Sequence, residues 1–320
     1  MSGPPARSVS LWLLVEPHLW HQTLVYAAPL IIAALGELII ERSGVLNIGI
    51  EGMMLVAAVT CFVVTWQTRS AAAGIGAGML AAAILALLLV YYAVALRGPQ
   101  ITVGLGLYVL GVGLSSLIFR VVFGVRTSPP QIQTLAPVHV PGLADLPVIG
   151  PVLFQQTLLT YLAFLLVPVV HLALFRTPWG LRLRATGENP RSVDALGIDV
   201  AALRYGAAVV GGLLIGLGGA YLPIVLTGTF SDNMTAGRGW LALMLVIFGR
   251  WMPFTALGGA LLFAYVEAFQ FKAGLVEKAV PSQFLLMLPY LFALAVLVRI
   301  YRGARAPRAL AVPYDREARG

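Results

Sequence analysis

Long, uninterrupted runs of apolar residues are the feature that most limits what this chain can fold into. Most of the runs hold about 18 to 26 residues, and a helix rising about 1.5 Å per residue needs that length to cross the hydrocarbon core of a bilayer. Of the 320 residues, 59% are hydrophobic and only 11% are charged, whereas soluble domains average about 45–50% and about 25%. The sequence therefore predicts a polytopic membrane protein.

The positions of the runs predict an all-α protein with about eight or nine transmembrane helices, some of them broken or re-entrant. The predicted spans are 22–40, 48–66, 71–96, 101–123, 154–175, 204–226, 240–250, 254–271 and 283–299. The segment 240–250 is too short to cross a bilayer alone, so it either extends into its flanks or is re-entrant. A transmembrane domain is thus expected at 22–300, between an N-terminal segment, 1–21, and a basic tail, 301–320.

The distribution of arginine predicts how the helices are oriented. Arginines concentrate in the segment 176–203 and in the tail, and basic segments of membrane proteins face the cytoplasm. We therefore expect both segments to be cytoplasmic, together with the short connections 41–47 and 97–100, and the Pro-rich connection 124–153 to face outward. Because orientation of the spans explains the net charge of +8, no nucleic-acid partner is expected.

No catalytic or nucleotide-binding motif is recognisable. Neither lysine follows a glycine, so the phosphate-binding G-x-x-x-x-G-K-[ST] motif is missing. The four histidines are scattered and not paired as metal ligands, and the one cysteine, Cys61, lies within an apolar run, where a small packing role is expected. The chain is therefore predicted not to be an enzyme and to bind no metal or cofactor itself.

Three carboxylates interrupt the apolar run GELIIERSGVLNIGIEGMM: Glu37, Glu41 and Glu51. A charge near the middle of a bilayer costs about 2.5–3.5 kcal/mol, so such residues usually face a cavity or a partner. Glu41 and Arg42 are expected at the solvated cytoplasmic edge. Glu51 is predicted one helical turn after Asn47 on the same helix face. Two interpretations of this pair stay open, a role in the solute path or hydrogen bonding between helices.

Glu267 is a fourth acidic residue within an apolar span, LLFAYVEAFQF. A partner arginine inside the bundle is possible, but the sequence does not identify which one. Together, Glu51 and Glu267 support an alternative function, that of a stand-alone ion-coupled secondary transporter, since ionisable residues at mid-membrane mark ion sites in that class.

The basic segment contains the run GENPRSVDALGI, which predicts a short capped helix. Asn189 is a favoured N-cap, Pro190 suits the first helical position, and Gly197 suits the left-handed residue that ends a helix. A helix of about two turns is marginal by itself in water. Val193 and Leu196 are expected on one face, so this apolar stripe should contact either the membrane surface or a soluble partner.

Four ordered runs resemble one family of membrane proteins. ERSGVLNIGIEGMM, GLRLRATGENPRSVDALGI, NMTAGRGWLALMLVIFGRW and ALGGALLFAYVEA are similar to runs in the membrane permeases of bacterial ABC importers. They resemble the branched-chain amino acid, ribose and nucleoside permease family, and most closely its simple-sugar and nucleoside branch. The likeness extends from about residue 24 to residue 300.

The resemblance implies a permease subunit in the bacterial inner membrane that translocates a nucleoside or a related sugar-like solute. It implies a second permease (identical or paralogous) beside this chain in the lipid bilayer, ABC ATPase subunits that hold ATP and Mg²⁺ beneath the membrane, and an extracytoplasmic solute-binding protein above it. The segment of the family that couples to the ATPase corresponds here to Gly187, Glu188, Asn189, Pro190, Arg191, Val193, Ala195, Leu196, Gly197 and Ile198.

Tyr108 is a departure from the family pattern. Relatives often carry an asparagine where this chain has the tyrosine of GLGLYVLGVGL. If the position lines the solute path, an aromatic ring there could stack on a base or simply pack, and both alternatives stay open. The candidate solute-path residues are thus Asn47, Glu51, Tyr108 and Glu267.

Overall fold

The computed structural model describes residues 16–124, 130–276 and 305–315, together with the isolated positions 287, 291 and 295. The described chain is helical and contains no β-strand. The predicted span 283–299 and most of the predicted N-terminal segment lie outside the described residues.

Eleven helices follow one another in this part of the chain. Seven of them are long and apolar enough to cross a bilayer, in agreement with the predicted polytopic fold. The helices are α1 (Pro17–Arg42), α2 (Ile50–Thr68), α3 (Ala71–Val90, continued by a π-helical turn, Tyr91–Ala95), α4 (Gln100–Phe123), α5 (Ile149–Leu153), α6 (Leu158–Arg176), α7 (Pro178–Glu188), α8 (Pro190–Ala195), α9 (Val200–Tyr221, continued by a π-helical turn, Leu222–Thr227), α10 (Arg238–Phe248) and α11 (Pro253–Val276).

Four helices form the centre of the bundle. α9 packs against α1, α2 and α3, and α2 packs along α3. α4 lies against the outer side of α2, while α6 and α11 lie against α1. α1 and α2 are buried along most of their length, whereas only 22% of the apolar stretch of α4 and 33% of those of α6 and α11 are buried. The exposed surfaces are apolar, as expected for helices that face lipid or another apolar partner.

Glycines bring the central helices into backbone contact. A Cβ atom placed on Gly111 of α4 would collide with the backbone of Gly52 in α2. One placed on Gly211 of α9 would lie 2.6 Å from the carbonyl oxygen of Gly36 in α1. Membrane helices have no hydrophobic drive to associate within lipid, so small residues that permit such close approach supply much of the packing.

The described connections fall into two groups at opposite ends of the bundle. At the basic end, the backbone of Gly187 lies beside that of Arg42, and Arg97 pairs with Asp315. At the other end, which we name the distal end, Ile132 N–H donates to Gly228 O at 2.8 Å. This grouping agrees with the charge-based prediction, which placed 41–47, 97–100, 176–203 and the tail on one side and 124–153 on the other.

The bounds of the predicted spans agree with those of the described helices to within a few residues, with two differences that concern whole segments. The predicted span 154–175 begins later, at Leu158, and is preceded by the short helix α5. The segment predicted as too short to cross, 240–250, is the eleven-residue helix α10. Its flanks do not extend it to a full span, because residues 228–237 are non-helical and residues 249–252 form a turn.

The contact between Gly111 and Gly52 yields a stability prediction. Gly111→Ala should lower the free energy of unfolding by about 1–3 kcal/mol, because the added methyl group meets backbone that cannot rotate away. The matched control is Gly113→Ala on the same helix, where an added Cβ meets nothing within 4 Å; it should be neutral or slightly stabilising, since alanine favours helix. Thermal unfolding of the detergent-solubilised protein measures both, and equal shifts would contradict the packing argument.

Candidate functional site

A buried carboxylate holds the start of the interrupted helix α10. The Glu51 Oε1 atom accepts hydrogen bonds from the Thr235 hydroxyl at 2.5 Å and from Gly237 N–H at 2.8 Å, and Oε2 accepts one from Gly239 N–H at 2.6 Å. The side chain is 1% exposed. Glu51 therefore satisfies backbone donors that a helix beginning inside a membrane would leave unpaired.

Two helix N-termini converge at this carboxylate. Glu51 lies in the first turn of α2 and also binds the first turn of α10. Its neighbour Gly52 packs on Gly111, which lies halfway along α4, so the junction is near the middle of the bundle. Helix N-termini carry partial positive charge and favour an anion. A single carboxylate can therefore stabilise both helix starts.

Asn47 contacts a different carboxylate from the one predicted to neighbour it. Its Nδ2 atom donates to Glu37 Oε2 at 2.8 Å, and its Oδ1 atom accepts from Gly49 N–H at 3.1 Å. The prediction that Asn47 and Glu51 share one helix face is wrong, because α2 begins only at Ile50. The segment before it is non-helical and turns Asn47 toward α1. In the structure both residues form hydrogen bonds between segments.

Glu41 is buried, which corrects the prediction that it lies at a solvated edge. Its Oε2 atom accepts from Trp251 Nε1 at 2.5 Å, and the Arg42 Nη2 atom donates to Trp251 O at 2.8 Å. Arg250 and Trp251 both have positive φ angles, 53° and 55°, which non-glycine residues rarely adopt. The adjacent Glu41 and Arg42 thus fasten the tight turn between α10 and α11.

The buried partner of Glu267 is Arg238. The Arg238 Nη2 and Glu267 Oε1 atoms are 2.6 Å apart, and each side chain is 15% exposed. Arg238 Nη1 also donates to Thr235 O at 3.4 Å. This ion pair joins the first residue of α10 to the middle of α11. The possibility of an internal arginine partner is thus realised in the structure.

Tyr108 packs against another aromatic residue. Its ring meets that of Trp240 edge to face, with the centroids 5.4 Å apart, and Gly52 lies against its backbone. Trp240 follows Gly239, whose N–H group is bound to Glu51. This packing places Tyr108 beside the helix junction, and contact of the ring with solute stays a prediction.

The predicted capped helix is present at the basic end as α8. The Asn189 Oδ1 atom accepts from Ser192 N–H at 3.2 Å, with Pro190 at the first helical position. Gly197 follows the helix with a φ angle of 75°, the left-handed conformation expected of a C-terminal cap. The sequence therefore determined both ends of this element.

The apolar stripe of α8 is divided between the protein interior and the surface. Val193 is 3% exposed and packs into the chain's own core, whereas Leu196 is 78% exposed. The prediction that Val193 and Leu196 both contact the membrane surface or a soluble partner is therefore wrong for Val193. Burial of Val193 fixes α8 to the bundle, and Leu196 is left on an outer surface with Glu188, Arg191, Ala195 and Gly197, which are also exposed.

The tail contacts the backbone at two places at the basic end, the end of α7 and the turn after α1. Ala309 N–H donates to Gly187 O at 2.8 Å, and Ala311 N–H donates to Gly44 O at 3.2 Å. Gly44 has a φ angle of 90° and belongs to the turn after α1. Residues 305–315 therefore link Gly187, just before α8, to the end of α1.

Side chains extend the same attachment to α8 and to α4. The Tyr314 hydroxyl donates to Asp194 Oδ2 at 3.0 Å. Asp315 forms an ion pair with Arg97, in the connection before α4, with an N–O distance of 2.6 Å. Both charged side chains of this pair are partly exposed, so the pair alone adds little stability. Its importance is geometric, since it links α8 through the tail to α4.

Several residues of the site were not identified from the sequence. Thr235, Arg238 and Trp251 lie far along the chain from the carboxylates that they contact, and hydropathy gives no signal for such pairs. The glycines that flank Arg238 could have indicated this site from the sequence, because glycine is favoured where φ is positive or where another group comes close to the backbone. Gly237 has a φ angle of 85°, and an added Cβ on Gly239 would strike Glu51. Within the described residues, no group of acidic, histidine or cysteine side chains is arranged to hold a metal.

The fold and this junction define a multi-pass membrane protein, built around an interrupted helix and carrying a short capped helix at one end. The chain belongs to the family described as the branched-chain amino acid transport system / permease component, whose model matches residues 20–299. By this description its members are permease components of transport systems. Location in a cell membrane, consistent with the inner membrane, follows from the family and the seven apolar helices.

Named relatives match along nearly the whole chain. The guanosine ABC transporter permease protein NupQ of Bacillus subtilis is 36% identical over 91% of this chain and 94% of its own length. The nucleoside ABC transporter permease protein NupC of Lactococcus lactis is 34% identical over 91% and 94%. A putative glucose ABC transporter permease protein of Haloferax volcanii is 36% identical over 93% and 98%. No solved structure matches significantly.

The contacts of Glu51 predict a strong effect of one conservative change. Glu51→Gln should lower the free energy of unfolding by about 1.5–3 kcal/mol, because an amide group places N–H donors against the N–H groups of α10. Thr235→Val removes a single donor and should cost less, about 1 kcal/mol. Thermal unfolding in detergent gives both values. Glu188→Gln, an exposed site of the same chemistry, is the control and should leave stability unchanged. A silent Glu51→Gln variant would contradict the capping role.

Proposed function

We propose that this chain is the permease subunit of an ATP-driven ABC importer and that it moves a nucleoside or a related sugar-like solute into the cell. The similarity to permeases named for guanosine and for nucleosides, over nine tenths of each chain, is the observation that carries the proposal. The relative named for glucose supports the wider description of the solute as sugar-like.

In this proposal, α8 is the element that couples transport to ATP hydrolysis. A helix of six residues would not hold its shape alone in water, but its cap and the buried Val193 keep it folded. Leu196 then presents an exposed apolar side chain, flanked by Glu188 and Arg191, to a partner at the basic end. This surface suits docking to an ABC ATPase subunit that binds ATP and Mg²⁺, while the chain itself binds neither.

The tail gives a physical route for the motion of α8. A push on α8 reaches Asp194, Tyr314 and Asp315 in turn, and through Arg97 it reaches the start of α4. Rigid-body shifts of packed helices are a common mechanism of switching. The basic end is cytoplasmic in this proposal. The distal end would receive solute from an extracytoplasmic binding protein, and the apolar surfaces of the outer helices would face lipid and a second permease.

The alternative of a stand-alone ion-coupled transporter is not favoured. The family and the named relatives are permease components of larger systems. Both candidate ion-binding carboxylates also have bonded partners in the structure: Glu51 binds the start of α10, and Glu267 pairs with Arg238. These contacts account for both residues without a transported ion.

Affinity purification of the tagged chain from its native membrane in mild detergent is the experiment that tests the proposal. Mass spectrometry should find an ABC ATPase in a near-equal amount, with a second permease or a solute-binding protein. Uptake of radiolabelled guanosine by membrane vesicles that retain these partners should require ATP. Recovery of the chain alone, with uptake that collapses on adding an uncoupler while ATP is held constant, would instead establish the ion-coupled alternative.

The exposure of Leu196 predicts a separation between folding and coupling. Leu196→Glu should reduce both recovery of the ATPase and ATP-driven uptake by about tenfold or more, as expected when a central apolar anchor of an interface is lost. The unfolding temperature of the solubilised chain should not change, because the side chain is exposed. Leu196→Met keeps the apolar contact and is the control at the same position. Full uptake by Leu196→Glu would exclude α8 as the docking element.

A further inference from the structure

A cavity of about 480 Å³ lies at the distal end of the bundle. Its volume is within the range of about 300–1,000 Å³ that small-molecule sites occupy. α1 contributes one face of consecutive turns, and the other walls come from the connection after α4, the connection before α6, the end of α9, the start of α10 and the end of α11. Its lining includes Gln22, Tyr26, Gln155, Thr227, Arg238 and Phe271.

Two irregular helical segments line this cavity. The π-helical turn Leu222–Thr227 provides four of the lining residues, and such turns occur frequently at functional sites. Met234 and Arg238 belong to the segment that enters the bundle and starts α10. Non-helical backbone at membrane depth is tolerated where it is buried in protein or lines a cavity, and interrupted helices form the solute sites of many transporters.

The chemistry of the walls suits a neutral solute that has an aromatic ring and several polar groups. The rings of Tyr26 and Phe271 meet with their centroids 5.8 Å apart and form an apolar corner. Amide side chains, among them Gln22 and Gln155, offer both donors and acceptors. The charge of Arg238 is balanced by Glu267 at 2.6 Å, so the described lining residues include no unpaired lysine or arginine to attract a phosphate group.

We propose that this cavity is a nucleoside-binding site within the permease chain, in which the base packs against Tyr26 and Phe271 and the ribose hydroxyls meet the amide side chains. This inference rests on the proposed function and adds the place and the contacts of the solute. It also separates the roles of the buried ionisable residues: Glu51 holds α10 in place, and the Arg238–Glu267 pair closes the inner end of the site.

Protection of an introduced cysteine tests the site directly. Gln22→Cys, in a Cys61→Ala background and in membranes that retain the native partners, should react with a membrane-impermeant maleimide. At a guanosine concentration about ten times its half-saturation value, the reaction should slow about tenfold, because only unoccupied sites react. Glucose at a matched concentration should protect less. Gln67→Cys is the matched control, since Gln67 is exposed at the same end outside the cavity, and guanosine should not affect it.

Substitution of the aromatic wall gives an independent measurement. Tyr26→Leu should reduce guanosine uptake about tenfold, whereas Tyr26→Phe, which keeps the ring, should stay near wild type, because stacking of a base on a ring needs no hydroxyl. Tyr92→Leu, at an exposed tyrosine of the π-helical turn after α3, controls for a general loss of aromatic surface and should be silent.

The outcomes separate the two proposals. In one outcome, the wild-type system imports guanosine, but guanosine does not slow labelling of Gln22→Cys and the Tyr26→Leu variant transports normally. The cavity is then not the binding site, and the proposed function stands. If the wild-type system binds its ATPase and imports no nucleoside, the proposed solute class is wrong and this site falls with it. Equal protection by guanosine and glucose would overturn recognition of the base.

Discussion

The structure depends on one carboxylate placed where two helices begin inside the bundle. A helix that starts within a membrane leaves N–H groups that no water can satisfy, and each unsatisfied group costs several kcal/mol. Glu51 accepts hydrogen bonds from two such N–H groups at the start of α10 and from the hydroxyl of Thr235. Glu51 itself lies in the first turn of α2. Because these contacts hold the interruption in a defined geometry, the aromatic pair of Tyr108 and Trp240 and the Arg238–Glu267 ion pair can form around it.

The other two carboxylates of the same sequence run have similar tasks at other irregular segments. Glu37 holds the non-helical segment before α2 through Asn47, and Glu41 holds the turn after α10 through Trp251. The three carboxylates are unusual in an apolar sequence, and each of them thus stabilises a segment of backbone that is not helical. Burial of a carboxylate has a cost, and the donors that each one binds offset part of it. Glu51 uses both oxygens in this way, whereas Oε1 of Glu37 and Oε1 of Glu41 have no partner among the described residues. An ion pathway is not needed to explain them.

The two ends of the bundle are built for different contacts. At the basic end, α8 is anchored by Val193 and by the tail, and it leaves Leu196 on the outside. At the distal end, the turn Leu222–Thr227 and the start of α10 open a cavity. α10 connects them, since its first residue lines the cavity and the turn that follows it contacts Glu41 and Arg42 through Trp251. A shift at the basic end would therefore move the inner wall of the cavity.

The sequence by itself determined the class of protein, most helices and the capped helix α8, because apolar length, arginine bias and capping residues act over a few turns of chain. It also marked the interrupted helix α10 as too short to cross a bilayer. Only the tertiary structure decided which groups the carboxylates contact, since Glu51 meets Gly239 and Glu41 meets Trp251 across about 190 to 210 residues of chain, where no local pattern operates. The burial of Val193 and of Glu41 was decided in the same way, because whether a side chain is covered depends on the neighbouring segment and not on its own periodicity.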